Sequence, residues 1–148
     1  MKIDRRSMLR SFLAVAATLA FPRLIFAARA DKAFEATSAD EAIAELLGAV
    51  PADSDRIQMK IPDIAENGAV VPVTVSTDLE NVESISVVVD NNPTPLAASF
   101  EMSPRMVAVI SVRIKMGQSS NVRAIVQAGG NLYSTSKEVK VTIGGCGG

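Results

Sequence analysis

Alternation of apolar and polar residues dominates the chain beyond residue 50, and it predicts β-strands. A period of two places successive side chains on opposite faces of a strand. Turn residues such as Asn67-Gly68 and Asn91-Asn92-Pro93 separate the runs. The apolar faces comprise Ile57, Met59 and Ile61; Val71, Val73 and Val75; Ile85, Val87 and Val89; Met106, Ala108, Ile110, Val112, Ile114 and Met116; Val122, Ala124 and Val126; and Val139, Val141 and Ile143. With a weaker strand over residues 97–102, the pattern predicts about seven strands.

One segment ahead of these runs follows a helical period instead. Ser38 and Glu41 occupy capping-box positions, and Gly48 supplies a C-terminal stop. The apolar residues between them at helical spacing are Ile43, Leu46 and Leu47. The predicted fold class is therefore all-β, an immunoglobulin-like antiparallel β-sandwich with a short N-terminal helix.

Two predicted strands carry apolar residues on their nominal outer faces. These residues are Val88 in one strand and Val107 and Val109 in another. Two explanations stay open: imperfect alternation, or a patch that a partner subunit covers.

The first thirty residues have the layout of a secretory signal. Arg5 and Arg6 precede an apolar run over residues 11–21, and a small-residue cleavage site ends at Ala30, with Ala27 as a competing position. Eleven apolar residues make only about 16 Å of helix, too short for a bilayer core of about 30 Å, which argues against a permanent membrane anchor. We expect a twin-arginine signal over residues 1–30, a domain over 31–143, and a periplasmic location.

Removal of the signal leaves an acidic chain. Residues 31–148 hold nine basic and fifteen acidic side chains, a net charge of −6, and their aromatic residues are Phe34, Phe100 and Tyr133. Nucleic-acid binding is disfavoured, because both a cationic patch and a stacking platform are missing.

The chemistry concentrates in residues 144–148, Gly-Gly-Cys-Gly-Gly. Cys146 is the single cysteine of the chain, and Gly144, Gly145, Gly147 and Gly148 flank it. Glycine has no Cβ, so such a segment is thin and conformationally free, and five residues extend to about 17 Å. We expect a flexible C-terminal carrier arm. An intermolecular disulfide or a working thiol fits a lone exported cysteine, and a surface cysteine without a role is the alternative.

Several classes of enzyme are excluded by composition. The chain contains no histidine, so Cys146 has no histidine to activate it, and no Cys/His metal cluster or c-type haem motif exists. No glycine-rich phosphate loop opens a helix. The residues predict neither a catalytic site nor a metal site, and activation of the thiol would come from another protein.

Taken together, these features resemble the SoxY family, the sulfur carriers of bacterial thiosulfate oxidation. The resemblance rests on the terminal Gly-Gly-Cys-Gly-Gly segment, the twin-arginine signal, the small β-sandwich and the stretch over residues 65–73, and it covers nearly the whole chain. It implies that Cys146 carries covalent S-thiosulfonate and persulfide intermediates. It also implies that this chain is not an enzyme.

The resemblance further implies a set of partners. These are the second subunit SoxZ, the haem cytochrome SoxAX, the manganese hydrolase SoxB and, where present, the molybdenum sulfane dehydrogenase SoxCD. Haem, manganese and molybdenum would belong to those partners, and this chain would bind no cofactor of its own.

Two other functions stay open. One is an exported, non-catalytic binding module that dimerises through a Cys146–Cys146 disulfide. The other is a carrier charged as a thiocarboxylate at Gly148, against which export and the lack of a central helix among the strands argue.

Overall fold

The computed structural model describes residues 31–142, which form two helices and nine strands. The helices are α1 (Asp31–Glu35) and α2 (Ala39–Leu47). The strands are β1 (Ala52–Asp53), β2 (Ile57–Lys60), β3 (Ile64–Ala65), β4 (Val71–Thr77), β5 (Val82–Val89), β6 (Leu96–Glu101), β7 (Val109–Ile114), β8 (Ser120–Ala128) and β9 (Asn131–Val141).

The strands make two sheets. The larger has the order β1-β9-β8-β5-β6, with β3 also pairing with β9, and the smaller has the order β2-β4-β7. The long strands pair antiparallel, as the turn signals between them predict. A tight turn at Gly129 and Gly130, both at positive φ, joins β8 to β9.

One apolar core contains residues from both sheets, and it is built from the alternating positions. Val73 and Val75 from the smaller sheet and Val87 and Val126 from the larger are almost fully buried in it. Each of the seven strands predicted from the alternation exists. An all-β fold with a short helix is therefore confirmed, whereas its immunoglobulin-like type stays a prediction.

Helix α2 covers the outer face of the larger sheet. The Ser38 hydroxyl accepts a hydrogen bond from the Glu41 backbone N–H at 3.2 Å, and Gly48 ends the helix at a φ of +70°. The Ser38 cap and the Gly48 stop are thus confirmed, whereas the Glu41 carboxylate accepts from the Thr37 N–H at 3.1 Å and not from the Ser38 N–H that a capping box predicts. Ala42 and Ile43 belong to a second core cluster that includes Val88.

Helix α2 covers Val88, one of the apolar residues that the sequence places on an outer face. Val88 is fully buried, because the chain's own helix covers it. The idea that a partner covers Val88 is therefore wrong. Val107 and Val109 are different: their side chains are 80% and 46% exposed.

The structure also departs from the predicted elements in three ways. Helix α1 and the two-residue strands β1 and β3 were not predicted, and β1 and β3 pair parallel to β9, so the antiparallel prediction is incomplete. Strand β7 spans fewer residues than the predicted apolar face, because Met106 closes a turn with Ser103. Strand β9 begins at Asn131, where a Ser/Thr-rich sequence hides the alternation.

The predicted outer segments lie beyond this description. The signal over residues 1–30 and the arm over 144–148 fall outside the described residues, so the domain boundaries stay predictions. Within residues 31–142, no helix has the length and apolar character needed to cross a membrane.

Candidate functional site

Every site residue predicted from the sequence lies outside residues 31–142. This holds for Cys146, for the arm glycines and for Arg5 and Arg6 of the signal. What the structure does place is Thr142, four residues ahead of Cys146, where the described chain leaves β9. The surroundings of Thr142 are therefore the described part of the chain that lies nearest to Cys146 in sequence.

Strand β3 holds this end of β9 through the backbone. The Lys140 N–H donates to the Asp63 carbonyl at 2.9 Å, and the Thr142 N–H donates to the Ala65 carbonyl at 3.1 Å. The Thr142 hydroxyl reaches the same carbonyl at 3.4 Å. A strand of only two residues therefore fixes the point from which the arm would extend.

The loop between β7 and β8 also holds the end of β9, through Val141. The Ser119 hydroxyl accepts a hydrogen bond from the Val141 N–H at 2.9 Å. Asn92 holds this loop in turn, since its side chain donates to the Lys115 carbonyl at 2.7 Å and accepts from the Gly117 N–H at 3.1 Å. The turn predicted at Asn91-Asn92-Pro93 therefore ends a strand and also holds the loop between β7 and β8.

Gly68 packs against the end of β9 from a third direction. Its carbonyl accepts a hydrogen bond from the Met116 N–H at 2.7 Å. A Cβ added at Gly68 would overlap the Met116 carbonyl oxygen and lie 2.9 Å from Cγ1 of Val141. The sequence predicted the Asn67-Gly68 turn, and the structure shows that only glycine permits this close approach.

An ion pair ties the segment before β3 to β9. The Lys137 ammonium lies 2.8 Å from the Asp63 carboxylate and donates to the Ile61 carbonyl at 3.0 Å. The hydrogen bond and the positive charge of Lys137 lower the pKa of Asp63 below its usual value. Sequence reasoning missed this pair, because nothing in the local pattern signals a contact between residues so far apart.

Two large apolar side chains stay exposed on the segments just before β4 and in β3. Ile64 on β3 is 56% exposed, and it pairs in register with Lys140. Val70, two residues after Gly68, is 49% exposed.

A large cavity lies at the other end of the molecule. Its volume is about 640 Å³, and its lining includes Thr77 at the end of β4 and Gln127, which pairs with Leu132 near the start of β9. The length of β9, at about 3.3 Å per residue, places some 30 Å between this end and Thr142. The cavity is therefore separate from the arm's base. Among residues 31–142, no group of three or more potential ligands could hold a metal ion.

Comparisons with known proteins agree with the resemblance seen in the sequence. The family model described as "Sulfur oxidation protein SoxY" matches residues 43–146, which includes Cys146. The sulfur carrier protein SoxY from Chlorobium limicola f thiosulfatophilum is 48% identical, with a TM-score of 0.64 over 70% of this chain and 96% of that chain. A comparison with curated protein sequences gave no match.

A second group of solved structures is similar in fold alone. Superoxide reductase (neelaredoxin) from Ignicoccus hospitalis is 16% identical, with a TM-score of 0.55 over 62% of this chain and 94% of that chain. An identity this low shows a similar fold and gives no information about function. The family match spans most of the chain and the structural match is close to half identical, so this chain belongs to the SoxY family.

Proposed function

We propose that this chain is a periplasmic covalent sulfur carrier in thiosulfate oxidation, with Cys146 as the attachment site. The observation that carries the proposal is the extent of the family match, which runs through residue 146. The 48% identical solved structure is that of a sulfur carrier protein, which supports the same role. The chain itself is proposed to be a covalent substrate of partner enzymes and not an enzyme.

The proposed chemistry begins with oxidative coupling. The Cys146 thiol and thiosulfate form a sulfur–sulfur bond, which gives a cysteine S-thiosulfonate and releases one proton and two electrons. The electrons pass to the haem cytochrome SoxAX. This chain contributes the thiol, and the partner supplies the oxidant.

The second step is hydrolysis. Water attacks the terminal sulfonate sulfur, the sulfur–sulfur bond to it breaks, and hydrogen sulfate leaves while a persulfide stays on Cys146. SoxB, with its manganese, would supply this catalysis, and SoxCD, with molybdenum, would oxidise the remaining sulfur where it is present. No cofactor is proposed for this chain.

The hydrogen-bonded end of β9 suits a thiol that several enzymes must reach. Four residue steps separate Thr142 from Cys146, so the two Cα atoms lie no more than about 14 Å apart. Because hydrogen bonds from the Thr142 and Val141 N–H groups hold this end of β9, an arm that starts here would present the thiol near one end of the sheets. The flanking glycines lack side chains that would have to fit every active-site channel.

We further propose a heterodimer with SoxZ. Val107 and Val109 are exposed apolar side chains, and β7 is an edge strand of the smaller sheet. An exposed apolar patch beside an unpaired strand edge favours coverage by a second subunit. A Val107→Asp variant would then weaken the heterodimer in size-exclusion chromatography, and an unchanged elution would contradict this assignment.

Intact mass spectrometry tests the carrier role. The protein is purified from thiosulfate-grown cells without reductant, and its mass is measured before and after thiol treatment. We expect reductant-labile masses of added sulfur or thiosulfate, localised to the C-terminal peptide and absent from Cys146→Ser. An unmodified thiol or only a Cys146–Cys146 dimer would favour the binding module, and a modification on Gly148 would favour the thiocarboxylate carrier.

A further inference from the structure

We infer that Asn67 is a site of spontaneous covalent modification, and that the turn around it promotes the reaction. Its side chain cyclises onto the backbone nitrogen of Gly68 and is then hydrolysed to aspartate or isoaspartate. The inference does not depend on the proposed carrier function and goes beyond it. Because Gly68 packs against Met116 and Val141, the modification changes the structure of the domain as well as its charge.

The reaction needs no partner other than water. The Gly68 nitrogen attacks Cγ of Asn67, a bond forms between these two atoms, and the bond from Cγ to Nδ2 breaks. Ammonia leaves with the proton of the Gly68 N–H, and a succinimide ring remains. Water then opens the ring at the side-chain carbonyl, which gives aspartate, or at the main-chain carbonyl, which gives isoaspartate. Neither step transfers electrons, so no oxidant or reductant is required.

The residue after an asparagine controls how easily the ring closes. A Cβ on that residue crowds the attacking nitrogen, and glycine has none. Asn67 is the one asparagine of the chain that glycine follows, since the others precede valine, asparagine, proline or leucine. The fold keeps glycine at this position, because a Cβ on Gly68 would overlap the Met116 carbonyl oxygen. The packing of the turn therefore preserves the reactive pair.

The turn also places a hydrogen-bond donor on the reacting carbonyl. The Ala69 N–H donates to Oδ1 of Asn67 at 2.9 Å. Attack at Cγ turns Oδ1 into an oxyanion, and a donor already directed at that oxygen stabilises the transition state. The same hydrogen bond folds the side chain back along the peptide of Gly68, which holds the reacting groups near each other.

Both reacting groups are available to the reaction. Asn67 is exposed and lies between β3 and β4, outside the strands. In the described part of the chain, the N–H groups of Ala69 and Val70 have acceptors, whereas that of Gly68 has none. The Gly68 nitrogen therefore gives up no hydrogen bond within the protein when it becomes the nucleophile.

Isoaspartate alters the backbone and not the charge alone. Its main chain runs through the former side chain, which adds a methylene group ahead of the Gly68 nitrogen. The Gly68 carbonyl accepts from the Met116 N–H at 2.7 Å, and Gly68 also approaches Val141 closely. Close packing leaves no room to absorb an added methylene group at this contact. We expect the isoaspartate form to lose the hydrogen bond from Met116.

The test incubates the purified chain at mildly alkaline pH and follows each asparagine by peptide mass spectrometry, with fragmentation that separates aspartate from isoaspartate. We expect conversion at Asn67 to be at least about tenfold faster than at Asn131, an exposed asparagine that leucine follows. Asn67→Gln should stay unmodified, because its longer side chain closes a larger ring.

A parallel incubation in urea removes the hydrogen bond from Ala69, and conversion at Asn67 should be slower there. Absence of conversion at Asn67 in the folded chain would overturn the inference. Faster conversion in urea would also overturn it, because the fold would then protect the site.

Hydrogen exchange tests the structural consequence. The isoaspartate form is separated by ion exchange, and its Met116 amide should exchange at least about fivefold faster, as the loss of one hydrogen bond predicts. Ala124, in the middle of β8, should keep its protection. Asn67→Asp is the matched control, because it carries the same charge on an unaltered backbone, and its Met116 amide should stay protected. Unchanged exchange at Met116 in the isoaspartate form, or equally fast exchange in Asn67→Asp, would overturn the proposed consequence.

Discussion

Gly68 and Val141 approach so closely that a Cβ on Gly68 would lie 2.9 Å from Cγ1 of Val141. The same Cβ would overlap the Met116 carbonyl oxygen, whose residue also donates a hydrogen bond to the Gly68 carbonyl. A single turn thereby sets the spacing between the start of β4, the end of β7 and the end of β9. The base of the proposed arm depends on this spacing.

Replacing Gly68 with alanine should therefore destabilise the domain. The added methyl group meets backbone as well as a side chain, and overpacking of this kind costs about 1–3 kcal/mol. Urea denaturation measures the change in unfolding free energy. Gly117→Ala is the matched control, because its Cβ would meet only Asn92 Oδ1 at 4.0 Å. Equal stability of the two variants would contradict the packing argument.

Removing the Ser119 hydroxyl should loosen the end of β9 locally. Ser119→Ala leaves the Val141 N–H without its acceptor, a loss of about 1 kcal/mol. Hydrogen exchange at Val141 should quicken about fivefold, while amides in the middle of β8 keep their protection. Ser103→Ala on an exposed turn serves as the control. An unchanged exchange rate at Val141 would show that the hydroxyl does not hold the strand.

The Asp63–Lys137 ion pair predicts a pH effect of known sign. The pKa of Asp63 is lowered in the folded protein, so its contribution to stability is present above the unfolded-state pKa and disappears as the pH falls through the folded-state pKa. NMR titration should give a pKa for Asp63 below the usual value near 3.9, and Lys137→Met should return it towards that value. A pKa that stays low in Lys137→Met would rule out Lys137 as the cause.

A bulky residue in the proposed arm should slow turnover without unfolding the domain. Gly145→Val or Gly147→Val adds a side chain that every active-site channel would have to accommodate, while residues 31–142 keep their contacts. The rate of thiosulfate-dependent haem reduction in the reconstituted system measures turnover, and thermal unfolding provides the control for stability. Wild-type turnover in both variants would count against threading of the arm into channels.

The alternating pattern predicted most of the sheets because burial follows it directly. Val73, Val75 and Val87 sit at alternating positions, and the core contains all three. The short strands β1 and β3 could not be predicted in the same way, because a strand of two residues has no period. They exist because their backbone groups find partners along β9. The sequence left two explanations open for Val88 for a related reason, since a helix distant in sequence covers it.

The same difference between local signals and contacts distant in sequence applies to the candidate site. Cys146 is predicted as the site from its glycine neighbours and from its being the single cysteine, which are local signals, and this stays a prediction. The contacts at the end of β9 could not be predicted in this way, because Ser119, Asn92 and Ala65 meet Val141, Gly117 and Thr142 only through the fold. Nothing in the sequence around Ser119 distinguishes its hydroxyl from those of other serines.

Strand β9 has a mechanical consequence for the proposed carrier role, in which the tail would be inserted into enzymes and withdrawn. Asn131–Val141 bonds to β8 along one edge and to β1 and β3 along the other. A pull on residues beyond Thr142 acts along the strand axis, because ladder hydrogen bonds run across it. The load is then shared in shear by many hydrogen bonds at once, and no single pair has to open first. Tension on the tail would be borne by the whole sheet, and release from a tight channel need not unravel the domain.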